Sequence, residues 1–410
     1  ICNMAIIKPF ETVRPQPQLA KLIASKPYDV LNSEEARNES NGNSYSYLHI
    51  TKSEISLPKN VNQYSEEVYL KAAENFKAFL QRDLLFVESK PCYYIYMLTM
   101  NKKTQTGLVC VSSLADYENN IIKKHELTRP DKELDRINHI KYTGAQTGNV
   151  FLAYKNNNQL DTLIENWKTI KSPIYNFLSD DEIQHTVWTI NEDVIIDKIT
   201  EIFKNKIGET YIADGHHRAA SAYKCWQDLG DNASPNAGYF LTTLFPANQL
   251  NILPYNRIVK NPHLSEPDLL LLLENNFIIE KVDTPIEPKQ HHHFGMYMNN
   301  QWYELVAKEN SYNNQLPDNL DVQILQNNVF KPIFDIIDPR TSSNIEFIGG
   351  IRGLTALESI VNEDPQKIAF SLFPVSIEQL FSISDSNQIM PPKSTWFEPK
   401  LRDGLFTHLI

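Results

Sequence analysis

Apolar positions recur at helical spacing from Ser65 onward. Tyr69, Ala72, Ala73, Phe76 and Leu80 fall on one face, and Glu66 and Glu67 occupy the first turn, where the helix macrodipole favours acids. This predicts an amphipathic helix. The period then changes: residues 92–100 and 106–112 are β-rich runs split by the polar string Asn101-Lys102-Lys103-Thr104, which predicts a hairpin. A short helix leads to a polar string at 124–130, where Pro130 is expected to limit further helix. Strands at 149–154, 184–190 and 210–213 alternate with helices at 160–167, 192–203 and from His217. Beyond Tyr239 come an apolar run to Phe245, a helix over 266–274, a hairpin at 293–298 and 302–306, a helix from Leu320, a strand at 345–350 and a polar tail. The first sixty residues, broken by Arg14-Pro15-Gln16-Pro17 and Lys26-Pro27-Tyr28-Asp29, read as short strands and loops. The expected fold class is α/β (mixed α+β), a sheet covered by helices.

Single cores stop growing near ~250 residues, so a chain of 410 predicts at least two lobes. The pattern divides it into an N-terminal α/β region (1–114), a core (115–250) and a C-terminal α/β region (251–410). A formal charge of -11 opposes nucleic-acid binding, and the densest basic run, Lys123-Lys124-His125, meets Glu126 at once. Nucleic acid is therefore not an expected partner. Cys2, Cys92, Cys110 and Cys225 show no C-x-x-C spacing and read as reduced thiols of a cytoplasmic protein. No apolar run reaches the ~20 residues of a membrane span, so no membrane partner is expected. Met4 reads as a natural start, with Ile1 to Asn3 additional to it. Oligomeric state stays open.

Candidate chemistry concentrates at Asp214-Gly215-His216-His217-Arg218. A short apolar strand meets a glycine and then a helix whose Ala219, Ala222, Tyr223 and Trp226 form an apolar stripe. Gly215 permits a tight turn and close backbone approach, and the amides of the helix start, with the positive end of the macrodipole, suit an anion. His216, His217 and Arg218 add donors, so the five residues are expected to bind phosphate. The alternative has Asp214 as a cap and the histidines as surface residues.

Three other segments stand out. Met390-Pro391-Pro392-Lys393-Ser394-Thr395 lacks the glycines of a P-loop but makes a rigid turn able to present an ammonium and two hydroxyls to a substrate anion; it also reads as a packed anchor with Trp396 and Phe397. Arg257 follows an apolar run and could add positive charge to the site. His291-His292-His293 precedes an alternating run and reads as a strand or hairpin edge in preference to a metal site, and Asp335 and Asp338 read as turn residues, with a metal-facing role as the alternative.

The G-H-H-R turn resembles the phosphate-binding box of the ParB/sulfiredoxin-like superfamily, and the wider pattern resembles the DUF1015 family within it. The pieces that carry the resemblance are Ile7-Lys8-Pro9-Phe10 with Arg14-Pro15, Pro27-Tyr28-Asp29-Val30, Lys124-His125-Glu126-Leu127-Thr128, Ala213 to Arg218, Asn256-Arg257-Ile258-Val259-Lys260, and Met390 to Thr395. The resemblance implies a ParB/sulfiredoxin-like nucleotide-binding unit with large N- and C-terminal additions, related by fold to partition proteins, sulfiredoxin and free serine kinases. By similarity to those kinases, Glu126, beside His125, is the residue expected to serve the acceptor hydroxyl; the competing reading pairs it with Arg129 on a loop. The expected activity is a nucleotide- and magnesium-dependent phosphotransferase acting on a small hydroxylated metabolite, with free L-serine as the specific acceptor and ATP or ADP as the nucleotide. Lys393, Ser394, Thr395 and Arg257 are the expected substrate-binding residues, and the ligands of any metal stay unassigned. The alternative is a nucleotide-binding or slowly hydrolysing switch without a small-molecule acceptor.

Overall fold

The computed structural model describes residues 4–261 and 263–410. Cys2 and the reading of Ile1 to Asn3 lie outside the described residues. The chain forms two units. The first comprises the chain up to Lys123, Thr128–Leu250 and Pro399–Ile410; the second comprises Lys124–Leu127 and Asn251–Glu398.

A nine-stranded mixed sheet organises the first unit. Its strands are β1 (Ile7–Lys8), β2 (Tyr93–Met100), β3 (Lys103–Ser113), β4 (Ile122–Lys123), β5 (Val150–Tyr154), β6 (Tyr175–Leu178), β7 (Gln184–Ile190), β8 (Thr210–Asp214) and β9 (Tyr239–Pro246). They run in the order β4-β8-β5-β9-β3-β2-β7-β6, with β1 paired to β3. The β2–β3 hairpin turns on Asn101 and Lys102, both at positive φ (50° and 65°), as a two-residue turn of matching twist demands. Lys103 and Thr104, expected in the turn, already belong to β3. Because strands from both sides of residue 114 share one sheet, the expected regions 1–114 and 115–250 are parts of a single unit.

Helices α1 (Glu66–Gln81), α2 (Pro130–Thr143), α3 (Asn158–Ile170), α4 (Asp193–Lys206) and α5 (His216–Leu229) complete the unit's main elements. The core joins Ile95, Leu108, Leu152, Ile212 and Leu244 of the sheet to Ile164, Trp167, Ile199 and Phe203 of α3 and α4. Each such side chain contributes roughly 1.5–3 kcal/mol by leaving water. Helix α1 buries Val68, Tyr69, Ala72, Phe76 and Phe79, the expected face shifted slightly at its end.

Helix α2 corrects the sequence reading. Pro130 does not limit a helix but opens one, at the first helical position where its missing N–H costs nothing. Its buried face includes Glu133, Asp135 and His139 beside Ile137 and Ile140, so an apolar stripe was not there to be read. The last residues of the chain close the unit, with the Thr407 carbonyl accepting from Val13 N–H at 2.9 Å and Asp403 bridging to Ser25.

An antiparallel six-stranded sheet organises the second unit: β10 (Tyr255–Lys260), β11 (Phe277–Val282), β12 (His293–Met298), β13 (Gln301–Ala307), β14 (Ile345–Gly349) and β15 (Lys367–Leu372), in the order β11-β13-β12-β15-β10-β14. Ile258, Ile348 and Ala369 pack with Leu357 and Val361 of α6 (Gly353–Glu363). The region after residue 350, expected as a polar tail, in fact supplies α6, the central strand β15 and a helix at Ile377–Asp385. The histidine run leads into a strand of a hairpin, as expected: His293 opens β12, which pairs with β13, and its Nδ1 lies 3.2 Å from Glu304. Asp335 adopts a left-handed turn conformation (φ 54°) and Asp338 holds the Arg340 guanidinium at 2.7 Å, as turn residues. Among the described residues no helix is long and apolar enough to cross a membrane.

Candidate functional site

The Asp214-to-Arg218 turn stands where β8 passes into α5. Strand β8 is held between β4 and β5, which fixes where the chain leaves the sheet. Gly215 makes the reversal at φ 97°, a conformation that side-chain-bearing residues rarely adopt, and its carbonyl accepts from Ala219 N–H at 3.0 Å to close the first turn. No side chain caps this helix from the Gly215 position. The first amides of a helix have no partner within it, so the turn directs N–H groups and the positive end of the dipole out of α5. Ala219, Ala220, Ala222 and Cys225 bury the opposite face.

The donors of the turn are not equivalent. His216 is buried and His217 half-buried. The Nε2 of His217 accepts the backbone N–H of Arg129 at 3.0 Å, which places the proton of the neutral ring on Nδ1. Arg218 departs from the expected open phosphate fork. Its side chain is 6% exposed, Nη2 donates to both carboxylate oxygens of Asp29 at 2.8 and 3.1 Å, and Nη1 donates to the Asn149 carbonyl. Gly148 makes room for the stem, since a Cβ there would stand 3.0 Å from Arg218 Cδ. Burial disfavours this cation, yet Asp29, Asp214, Asp403 and Tyr28 together raise its pKa above the ordinary value. The guanidinium therefore acts as a brace between the start of α5, the Asp29 segment and the loop before β5.

Around the brace lie groups to which the sequence assigned no role. Tyr28 is flanked by two guanidinium carbons, Arg136 at 4.1 Å and Arg218 at 5.7 Å from its ring centre. Asp214 is 3.9 Å from Arg218 Nη2 and 3.4 Å from Lys400 Nζ. Burial pushes Asp403 up to about 7; Arg218 pulls it down, Asp29 pushes it up, and Arg136 and the Tyr28 N–H pull it down. Asp29 and Tyr28 sat inside a quoted motif, but Asp29 is 189 residues from Arg218 in the chain, and nothing local announces the pairing. Lys400 and Asp403 had no signal at all.

His125 and Glu126 belong to the second unit, with Arg257 and the 390–395 segment. Met390 N–H donates to the His125 carbonyl at 2.9 Å, and His125 Nε2 lies 3.2 Å from Thr395 Oγ1. Ser394 is buried, its hydroxyl donating to the Pro391 carbonyl at 2.6 Å, so it shapes the turn and does not face out as a substrate donor. Lys393 stands at φ 55° with Nζ 5.8 Å from the Tyr255 ring. Arg257 is buried; desolvation pushes its guanidinium down to about 9 against the opposing pull of Tyr255 and Glu126. The structure thus gathers the expected catalytic pair and the expected substrate-binding residues in one unit. Arg129, the alternative partner proposed for Glu126, pairs with Asp131 at 3.0 Å.

Comparison with known proteins gives a family and distant structural likenesses. A conserved hypothetical protein from Pyrococcus furiosus is 13% identical, covering 74% of this chain and 95% of its own, with a TM-score of 0.37. SbnI with a C-terminal truncation, from Staphylococcus aureus, is 11% identical over 73% of this chain and 87% of its own, with a TM-score of 0.38. A mutant free serine kinase in complex with ADP is 13% identical over 74% and 93%, also with a TM-score of 0.38. No curated protein matches. The family model described as "Protein of unknown function (DUF1015)" matches residues 7–323, which leaves the 390–395 segment outside the match. The chain belongs to the DUF1015 family.

Proposed function

We propose that the protein is a nucleotide-dependent phosphotransferase that acts on the hydroxyl of a small metabolite, built on a ParB/sulfiredoxin-like unit. The observation that carries this reading is the turn at Gly215: a positive-φ glycine opens a 14-residue helix without a side-chain cap, and the buried Arg218, paired with the half-exposed Asp29, holds that helix start in place. Phosphoryl transfer depends chiefly on positioning and charge stabilisation, and a rigid helix start supplies both. In this reading the backbone amides after Gly215, with His216 and His217, bind the nucleotide phosphates, and Arg218 positions them through the brace.

Magnesium, expected with the nucleotide, does not fit the carboxylates of this turn. Both oxygens of Asp29 accept from Arg218 Nη2, and Asp214 stands beside Arg218 Nη2 and Lys400 Nζ, so two cations already meet these carboxylates. Glu126 takes the proton of the acceptor hydroxyl, and free L-serine is the specific acceptor proposed.

The test is incubation of the purified protein with magnesium, nucleoside di- and triphosphates, and a panel of hydroxylated amino acids, hydroxy acids and polyols. A phosphorylated acceptor supports the reading. Release of phosphate regardless of acceptor replaces it with a hydrolysing switch, and a folded protein that yields neither product ends it.

A further inference from the structure

Buried arginines in the described residues are met by carboxylates, with Arg257 as the exception. Arg218 stands 2.8 Å from Asp29 and Arg402 2.5 Å from Asp181, and the nearly buried Arg14 and Arg136 stand 2.7 Å from Glu88 and 2.8 Å from Asp135. Arg257 is only 3% exposed, yet among the described residues no carboxylate forms an ion pair with it. Its hydrogen bonds go to two neutral acceptors, the carbonyls of Tyr255 at 2.8 Å and Pro392 at 3.2 Å, while the Phe347 ring covers its face at 4.6 Å. A guanidinium has five N–H donors, so more than half of its capacity has no acceptor among the described residues. Burying a cation without an ion-pair partner is costly, and each of the other four arginines has one.

We propose that Arg257 anchors a carboxylate-binding subsite, and that the acceptor carries a carboxylate beside its hydroxyl. That the ligand is an acceptor rests on the phosphotransferase reading; the need for an anion at Arg257 does not. The surroundings select the class of anion. Arg257 brings a single guanidinium charge, offset in part by Glu126, which acts on it electrostatically. A monoanion balances that charge, whereas a phosphate dianion exceeds it. The planar guanidinium, stacked on Phe347, also matches the two coplanar oxygens of a carboxylate. The Pro392 carbonyl that orients Arg257 and the Thr395 hydroxyl near His125 come from the same turn, which ties the cation to the expected proton acceptor Glu126 through its neighbour in sequence.

Calorimetry on the full chain without nucleotide tests this independently of turnover, with 3-hydroxypropionate, L-serine, their amides and inorganic phosphate as probes. The expected result is binding of the two acids, with the amides weaker by about ten- to a hundredfold, the scale of one charge-assisted hydrogen-bonded pair. Arg257→Gln should remove that preference for acid over amide, and Arg257→Lys should keep part of it. Equal binding of acids and amides by the wild-type protein overturns the proposal even if Arg257→Gln fails to fold. Binding of phosphate in preference to the acids overturns it as well. Acid binding that depends on Arg257, in a protein that phosphorylates nothing, upholds the subsite and discards the phosphotransferase; phosphorylation of acids and amides alike does the reverse.

Discussion

Replacing Arg218 by alanine separates a brace from a phosphate ligand. The substitution removes a guanidinium bonded to Asp29 at 2.8 and 3.1 Å and to the Asn149 carbonyl, and leaves the buried Asp403 and the half-exposed Asp29 and Asp214 without their shared cation. Removing one partner of a buried ion pair costs about 3–5 kcal/mol. Asp29 keeps 39% of its side-chain exposure, so water relieves part of that, and a loss of about 3 kcal/mol is expected. In a domain of this size each kcal/mol lowers Tm by roughly 2–4 °C, which gives a fall of about 6–12 °C. The penalty also depends on pH. Arg218 is the largest influence holding the Asp403 pKa down, so its loss raises that pKa further and makes the ionised carboxylate costlier. The destabilisation should therefore be larger at about pH 8 than at about pH 5. Urea unfolding at both values, with nucleotide affinity measured on the same preparation, reads the outcome. A loss below about 0.5 kcal/mol at both pH values would refute the brace, and unchanged stability with lost nucleotide affinity would restore Arg218 as a direct ligand.

Three further substitutions test the rest. Gly215→Ala meets ordinary contacts at 3.5 Å from Arg218 Nη1 and Val150, so its cost is that of φ 97° alone, about 1 kcal/mol in urea unfolding; a loss above about 3 kcal/mol contradicts that account. Glu126→Gln should leave nucleotide affinity nearly constant while turnover falls roughly 10²–10⁴-fold, and wild-type turnover removes the base assignment. Asp403→Asn addresses a carboxyl whose folded pKa is raised to about 7, so the native state holds a proton that the unfolded chain has released. Its contribution is complete below about pH 4 and is lost as pH rises toward 7, by about 1.4 kcal/mol per unit, so the asparagine variant should show a flatter Tm–pH profile over that window. An unchanged slope would place the titration elsewhere.

What the sequence disclosed follows from the range of the forces involved. The helix at Glu66–Gln81 and the β2–β3 hairpin were legible because their signals are local: apolar spacing in one, two turn residues between β-rich runs in the other. Helix α2 was not, because its inward face carries Glu133, Asp135 and His139, whose burial is offset by partners far away in sequence, such as Tyr69 for Asp135 and Ile50 for His139. A pattern of apolar residues cannot register a helix whose core contacts are partly polar. The region after residue 350 is a different case: α6 buries Leu357 and Val361, and β15 buries Ile368, Ala369, Phe370 and Leu372, apolar positions that the sequence displays and the polar-tail reading passed over.

The candidate turn shows both sides of this rule. Its geometry was readable because a strand, a glycine and a helix start must adjoin in sequence to make an anion-binding end. Its energetics were not, since the charge that commits Arg218 comes from Asp29 and the cation beside Asp214 from Lys400, near opposite ends of the chain. The arginine looked like a ligand because, without a visible partner, an exposed fork is what the residue type implies. Arg257 inverts the case: among the described residues no carboxylate forms an ion pair with it, so the ligand proposed there rests on an arrangement that only a folded chain can display. An arginine in a motif is thus read as a brace or as a receptor according to whether a carboxylate reaches it: Arg218 is the first, and Arg257 is proposed as the second.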